Sequence, residues 1–370
     1  ILMAPSKPNA IRVLVVDDSY FMRKMLQEML EGSNGVVVVL DTAKNGLEAV
    51  EKTLKLKPDV ITLDVEMPKM DGLQALEKIM AERPTPVVML SSHTGEGTAT
   101  TIRAMELGAV DCLAKPAGRV MENMKEIQDE LIEKIKTASA IRPRQRPGVS
   151  AGPKASADVV EIKEPPKVSP FPQVEKPANF IVAIASSTGG PRALNELFSR
   201  LNRNPSTAFV IVQHISVGFT KALARRLGEV SCLAISEAED QETFLGGHAY
   251  VAPAGNHLVV EGSPGHFKAA FSDAPPRLGV KPSADIMMAS VAKVAAKRCL
   301  GVVLTGMGRD GTEGLKAIRT TGGKTFAQDA DSCVVYGMPK SVVEAGLVDR
   351  QLTLAKMAEE INALLISRRD

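Results

Sequence analysis

Asp17 and Asp18 close the apolar run Ile11–Val16, and Asp64 closes Val60–Leu63. Ser91 follows Val87–Leu90, and Lys115 follows Val110–Ala114 with Pro116 behind it. Carboxylates gathered together repel, and each resists ionisation unless a cation sits among them. Oxygen-only ligands point to Mg²⁺, which keeps several waters and takes one or two carboxylates plus a phosphate. A hydroxyl and an ammonium beside a carboxylate suit a phosphoryl group on Asp64. Each feature alone has a plainer reading: an Asp pair after a strand commonly serves a turn or a helix cap. Five such residues at successive strand ends, in order, favour chemistry.

A second constellation lies downstream. Phe180–Ala185 is apolar and stops at Ser186-Ser187-Thr188-Gly189-Gly190-Pro191, after which Ala193, Leu194 and Leu197 recur at helical spacing. A strand, a tight turn and a helix put a serine where free N–H groups and the helix dipole can stabilise an oxyanion. Ala185–Gly189 departs from the G-x-S-x-G nucleophile elbow only by alanine in place of the first glycine. On this segment alone a nucleophile, a phosphate-cradling loop and simple capping all stay open. A serine nucleophile needs a base, and the chain has five histidines. His93 lies in the first half, and His248, His257 and His266 fall in or beside hairpin turns. His214 alone ends a buried strand, Ala208–Gln213, although a structural role for it remains open. A third group must orient the imidazole. Asp310, in the loop Gly306–Gly311 after Gly301–Thr305, competes with Asp329 and Asp331 and with a plain turn.

The elements that would position these groups form two blocks. Over 11–136, short apolar strands alternate with helical patterns near 46–55, 73–81, 97–107 and 119–136, which implies a doubly wound parallel sheet covered by helices on both faces. Over 179–370 the alternation returns, with strands at Phe180–Ala185, Ala208–Gln213, Gly301–Thr305 and Lys324–Ala327. Helical patterns there fall near 191–201, 218–227, 311–320 and 353–366, and a hairpin-like region spans 248–271. Between the blocks, 137–178 is rich in proline and charge and has Phe171 as its only aromatic residue. Such a segment buries too little apolar surface to fold alone, so it reads as a linker with a reach of about 35 Å. The expected architecture is therefore α/β: two doubly wound domains at 11–136 and 179–370, joined by 137–178.

Composition narrows the function. The chain has 370 residues, 44% hydrophobic and 24% charged, with formal net charge +2. No helix carries a basic stripe, which speaks against nucleic acid. Cys112, Cys232, Cys299 and Cys333 are scattered, which suits a reducing cytosol and disfavours a structural zinc site. Apolar runs are strand-sized, so no membrane insertion is expected, and the chain reads as cytoplasmic.

Two resemblances fit these readings. VLVVDDS, ITLDVEMPKMDG, VVMLSS and CLAKP resemble the two-component receiver family over nearly all of 11–130. The resemblance implies a flavodoxin-like fold with a five-stranded parallel sheet. It also implies that Asp64 accepts phosphate from a histidine kinase and that Asp18, Asp64 and the Glu66 carbonyl hold Mg²⁺ with support from Asp17. Ser91 and Lys115 would contact the phosphoryl group. Cys112 stands where the family usually has an aromatic switch residue. In the second block, IVAIASSTGGPRAL, VIVQHISVGFT, AYVAPAGNHL, KPSADIMM, GVVLTGMGRDGTEGL and TFAQDADSCVVYGMP resemble the chemotaxis protein-glutamate methylesterase family. That implies a Rossmann-like, mostly parallel hydrolase domain with Ser187 as nucleophile, His214 as base and then acid, and Asp310 as its partner. Thr188, His257 and the Met307 backbone would support the site, with no metal needed in this half. Ala185-Ser186 replaces the family's usual Gly-Ala, so Ser186 is a rival nucleophile, and Ile215-Ser216 replaces Met-Pro after the histidine.

The resemblance implies hydrolysis of glutamate methyl esters on methyl-accepting chemoreceptors, and deamidation of certain receptor glutamines. The alternative is a phosphorylation-gated module that binds receptors without catalysis. A DNA-binding regulator is disfavoured, because the output half is a βα domain without a basic recognition helix.

Overall fold

A computed structural model describes residues 10–92, 95–115, 124–141 and 176–366. Most of the proline-rich segment, 142–175, therefore lies outside the described residues, as do His93 and the start of the helix expected at 119–136.

The first half runs β1 (Ile11–Val16), α1 (Tyr20–Glu31), β2 (Val37–Ala43), α2 (Gly46–Leu56), β3 (Val60–Asp64), α3 (Gly72–Glu82), β4 (Val87–Ser91), α4 (Gly95–Leu107), β5 (Asp111–Ala114) and α5 (Met124–Ser139). The strands lie in the order β2-β1-β3-β4-β5, and every pairing is parallel. This flavodoxin-like order gathers the carboxyl ends of β1, β3, β4 and β5 at one edge. Ser19, Asn45 and Asp71 cap α1, α2 and α3 through their side chains. Asp18 is thus released from the capping role that an Asp pair after a strand would ordinarily fill.

The second half runs β6 (Phe180–Ser186), α6 (Gly190–Phe198), β7 (Thr207–Gln213), α7 (Thr220–Val230), β8 (Ala234–Glu237), β9 (His248–Val251), β10 (His257–Glu261), β11 (Lys268–Ser272), α8 (Ala284–Ala295), β12 (Cys299–Val303), α9 (Thr312–Thr320), β13 (Lys324–Gln328), α10 (Met338–Glu344), β14 (Arg350–Leu352) and α11 (Leu354–Ile366). Seven strands form one sheet, β14-β13-β12-β6-β7-β9-β8, again with parallel pairings throughout. Alternate residues of β6 serve opposite faces, as strand geometry requires. Ala183 and Ala185 join the layer containing α8 and α9 residues, while Val182 and Ile184 join that of α6, α7 and α11.

The hairpin expected over 248–271 is smaller than its strand pattern implies. Only β10 and β11 pair antiparallel, as a separate two-stranded ribbon. β9 instead lies between β7 and β8 in the main sheet. α8 fell outside the expected helices. It buries one face, Ala284, Met287, Met288, Val291, Ala292 and Ala295, but Ile286, Ala289 and Val294 on the outward side weaken the polar face that marks a surface helix.

Candidate active site

In the first half, Asp17, Asp18 and Asp64 bring one carboxylate oxygen each to within 4.8 Å of one another. The Lys115 Nζ reaches Asp17 at 2.8 Å and Asp64 at 2.7 Å. Burial pushes the Asp64 carboxyl up to about 6, with Asp17 adding to the rise and Lys115 opposing it. Burial also disfavours the Lys115 ammonium, but its bonds to the two aspartates outweigh this and hold it above its ordinary range. One ammonium leaves the three carboxylates in excess, so the donor set fits a divalent cation. Ser91, fully buried at the end of β4, donates to the Ser92 carbonyl at 3.1 Å. The Glu66 N–H points back at Asp64 at 3.3 Å, and its carboxylate accepts from Ser92. Cys112 is fully buried in β5, and burial holds its thiol well above the ordinary range.

In the second half, Ser187 and His214 directly follow the neighbouring strands β6 and β7, and the loop after β12 carries Asp310 to His214. β6 and β7 pair in register up to Ser186 opposite Gln213, and the His214 N–H donates to the Ser186 carbonyl at 2.9 Å. The next residues on the two strands are the candidate nucleophile and base. His214 Nε2 lies 2.9 Å from Asp310 Oδ2. Asp310, 3% exposed, also accepts from the Ser283 hydroxyl at 2.8 Å, the Ala284 N–H at 2.6 Å and the Asp285 N–H at 3.0 Å. Burial works against its charge, but the bond to His214, then that residue's charge and the donors from 283–285, hold the carboxyl below its usual range. An ionised carboxylate only accepts, so the Nε2 proton belongs to the imidazole, and in the neutral ring Nδ1 is then the atom with the free lone pair.

The donors at 283–285 are the N-terminus of α8, a part of the site that strand-end reasoning missed. Its own Asp285 accepts at Oδ1 from Gly311 and Gly314 at 2.9 Å each, at the N-terminus of α9. The two aspartates therefore cap each other's helices: Asp310, just before α9, caps α8, and Asp285, within α8, caps α9. His257, fully buried, accepts the Ser283 N–H at Nδ1 (3.0 Å) and donates from Nε2 to the Pro275 carbonyl (3.1 Å). It thus holds the segment leading into α8 and touches the site through Ser283.

Two of the expected rivals, Ser186 and Asp329, have other tasks. The Ser186 hydroxyl is fully buried and donates to Gln213 Oε1 at 2.7 Å. Asp329 caps a local turn by accepting from Ser332. Ser187 itself is partly exposed. The loop carrying Met307 lies hard against it: a Cβ on Gly306 would fall 2.7 Å from Ser187 Cβ. Gly189, the N-cap of α6, makes no side-chain cap and has φ +78°, which glycine adopts without strain. The Thr188 hydroxyl is engaged across the domain boundary, donating to Asp111 Oδ2 at 2.5 Å.

Comparison with known proteins adds the family. Residues 13–127 match the response regulator receiver domain and residues 182–361 match CheB methylesterase. A protein of Symbiobacterium thermophilum named protein-glutamate methylesterase/protein-glutamine glutaminase is 44% identical over 366 residues, covering 97% of this chain and 98% of that one. The chain belongs to the protein-glutamate methylesterase/protein-glutamine glutaminase family. A member from Thermotoga maritima is 42% identical over 359 residues, covering 96% of this chain and 99% of that one. Among solved structures, the Thermotoga maritima CheB methylesterase catalytic domain is 39% identical with TM-score 0.49, covering 50% of this chain and 99% of that one. The response regulator domain of Thermotoga maritima CheB is 49% identical with TM-score 0.34, covering 36% of this chain and 99% of that one.

Proposed function

We propose that the chain is a chemotaxis methylesterase in which Ser187, His214 and Asp310 hydrolyse glutamate methyl esters on chemoreceptors. The observation that carries this is the His214–Asp310 pair, with Asp310 fixed by three further donors. Asp310 occupies Nε2, which leaves Nδ1 to take the Ser187 proton as Oγ attacks the ester carbonyl. The oxyanion develops beside the uncapped start of α6 and the Met307 loop, where N–H groups and the helix dipole favour negative charge. His214 returns its proton to the departing methoxide, and methanol leaves. Water, deprotonated by the same imidazole, then cleaves the acyl-enzyme and restores Ser187. The same steps with ammonia as leaving group deamidate a receptor glutamine. Methanol release from methylated receptor, measured with and without a serine-reactive phosphonate, tests the reading against a receptor-binding module without catalysis. A module of that kind releases no methanol.

We further assign 11–136 to the receiver, 137–178 to the linker and 179–370 to the catalytic domain, acting in the cytoplasm. Among the described residues, no helix is long and apolar enough to cross a membrane. A histidine kinase would be the phosphodonor. Asp17, Asp18, Asp64 and the Glu66 carbonyl would hold Mg²⁺, whose charge offsets repulsion between the carboxylates and an incoming phosphoryl group. Ser91 and Lys115 would then bind that group. Phosphate incorporation from a small-molecule donor should accordingly collapse when a chelator removes Mg²⁺ and return when Mg²⁺ is restored. Incorporation that persists in Asp64→Asn would place the acceptor elsewhere.

A further inference from the structure

Gln213 is the last residue of β7 and is 1% exposed. Its Nε2 donates to the Ser187 carbonyl at 2.8 Å and to the His214 carbonyl at 2.9 Å. Its Oε1 accepts from the Ser186 hydroxyl at 2.7 Å. Two carbonyls can be served only by the NH₂ end of the amide, so the network fixes which way the amide points. Room for it comes from Gly190, where a Cβ would fall 1.9 Å from Oε1.

We propose that Gln213 is a positioning residue that sets the spacing between nucleophile and base. This rests on the assignment of Ser187 and His214 to those roles. Both residues lie one step beyond the paired ends of β6 and β7, where their N–H groups bond to the Thr305 and Ser186 carbonyls and Gln213 alone ties their own two carbonyls to each other. One planar group spends both of its N–H bonds on their two carbonyls. The separation of the two backbones is therefore tied to the fixed geometry of a single amide. Without it, the Ser187 carbonyl keeps only the Gly190 N–H (2.7 Å), the His214 carbonyl loses the amide, and the direct tie between the two backbones is cut. Proton transfer from Ser187 to His214 depends steeply on separation, and a displacement of about 1 Å can cost on the order of 10²-fold in rate.

The test uses the full chain with a small-molecule phosphodonor and Mg²⁺, and methylated receptor as substrate. Gln213→Met keeps shape and removes both donors. We expect kcat to fall about tenfold or more, toward the limit set by such a displacement, with KM nearly unchanged. Phosphonate labelling of Ser187 should slow in parallel. Gln213→Glu supplies a second readout. A buried carboxyl facing two carbonyl oxygens favours its neutral form, which donates one hydrogen bond. Activity should then fall as rising pH ionises it, an alkaline limb to be read against the wild-type profile measured alongside. Ser186→Ala removes only the partner of Oε1, so its loss should be clearly smaller. Wild-type kcat in folded Gln213→Met, or a loss that merely tracks the unfolded fraction, overturns the proposal. If instead Ser187→Ala turns over and the phosphonate labels another residue, the assignment beneath it has failed.

Discussion

Ser187→Ala should reduce methanol release from methylated receptor by about 10³-fold or more, because a nucleophile works as one unit with its base and acid and its loss removes the covalent route entirely. The variant should keep its fold. Ser187 lies beyond the end of β6, and its backbone carbonyl, which the substitution retains, accepts the Gln213 N–H. Thermal unfolding should therefore stay near the wild-type midpoint while turnover collapses. Ser186→Ala provides the contrast. Its hydroxyl is fully buried and committed to Gln213, and it is the partly exposed Ser187 that lies against the Met307 loop. Normal turnover in Ser187→Ala together with a collapse in Ser186→Ala would mean that the wrong serine has been chosen. Asp310→Asn should fall between the two, since an amide can donate to the imidazole and stabilise the wrong tautomer.

What could be read from sequence follows from what is local. Strand ends are local: an apolar run followed by a polar residue marks where a βα unit exposes side chains, and Asp64, Ser91, Lys115, Ser187 and His214 were all placed that way. Asp310 could be named but not separated from Asp329 and Asp331 by spacing. The separation is tertiary, made by the N–H groups of 284 and 285 on Asp310 and by the turn at 332 on Asp329. α8 was hard to read because its outward positions include Ile286, Ala289 and Val294, whose apolar types blur the contrast with its buried face. β9 read as a hairpin strand because β10 follows closely, although its partners β7 and β8 are both upstream. His257 was named only through the family resemblance, because its partners at 275 and 283 are brought near by the fold, and the task of Gln213 had no sequence signal beyond its type.

Removing the receiver's hold should raise demethylation by the unphosphorylated chain. The face that meets the catalytic half is built from α4, β5 and α5. Arg226 on α7 makes paired bonds to Glu106 on α4 at 2.7 and 2.8 Å. Asn195 on α6 donates to the same carboxylate. Ile102 of α4 is buried with the catalytic core, and Phe219 of the loop after His214 is buried with the receiver core. Two contacts reach the site itself: Asp111 holds the Thr188 hydroxyl, next to the nucleophile, and Thr137 touches Met307. Docking therefore ties up Thr188 and Met307, the two residues it reaches beside Ser187. Phosphorylation of Asp64 would draw Ser91 and Lys115 toward the new charge. Lys115 directly follows β5, four residues after Asp111, so a shift there reaches the Thr188 contact through one strand. Cys112, buried and without a ring, leaves that backbone route in place of an aromatic rotation. A bias of about 1.4 kcal/mol changes the docked-to-open ratio tenfold. Charge-assisted bonds contribute about 1.5–3 kcal/mol each before screening of the partly exposed Arg226 reduces the figure. Glu106→Ala in the full chain should then raise unphosphorylated activity about tenfold. A fragment spanning 179–370, which loses the Asp111 contact as well, should gain on the order of 10²-fold. The phosphorylated full chain should match or exceed the fragment. If Glu106→Ala and the fragment both release methanol no faster than the unphosphorylated whole, the docked face does not restrain the site.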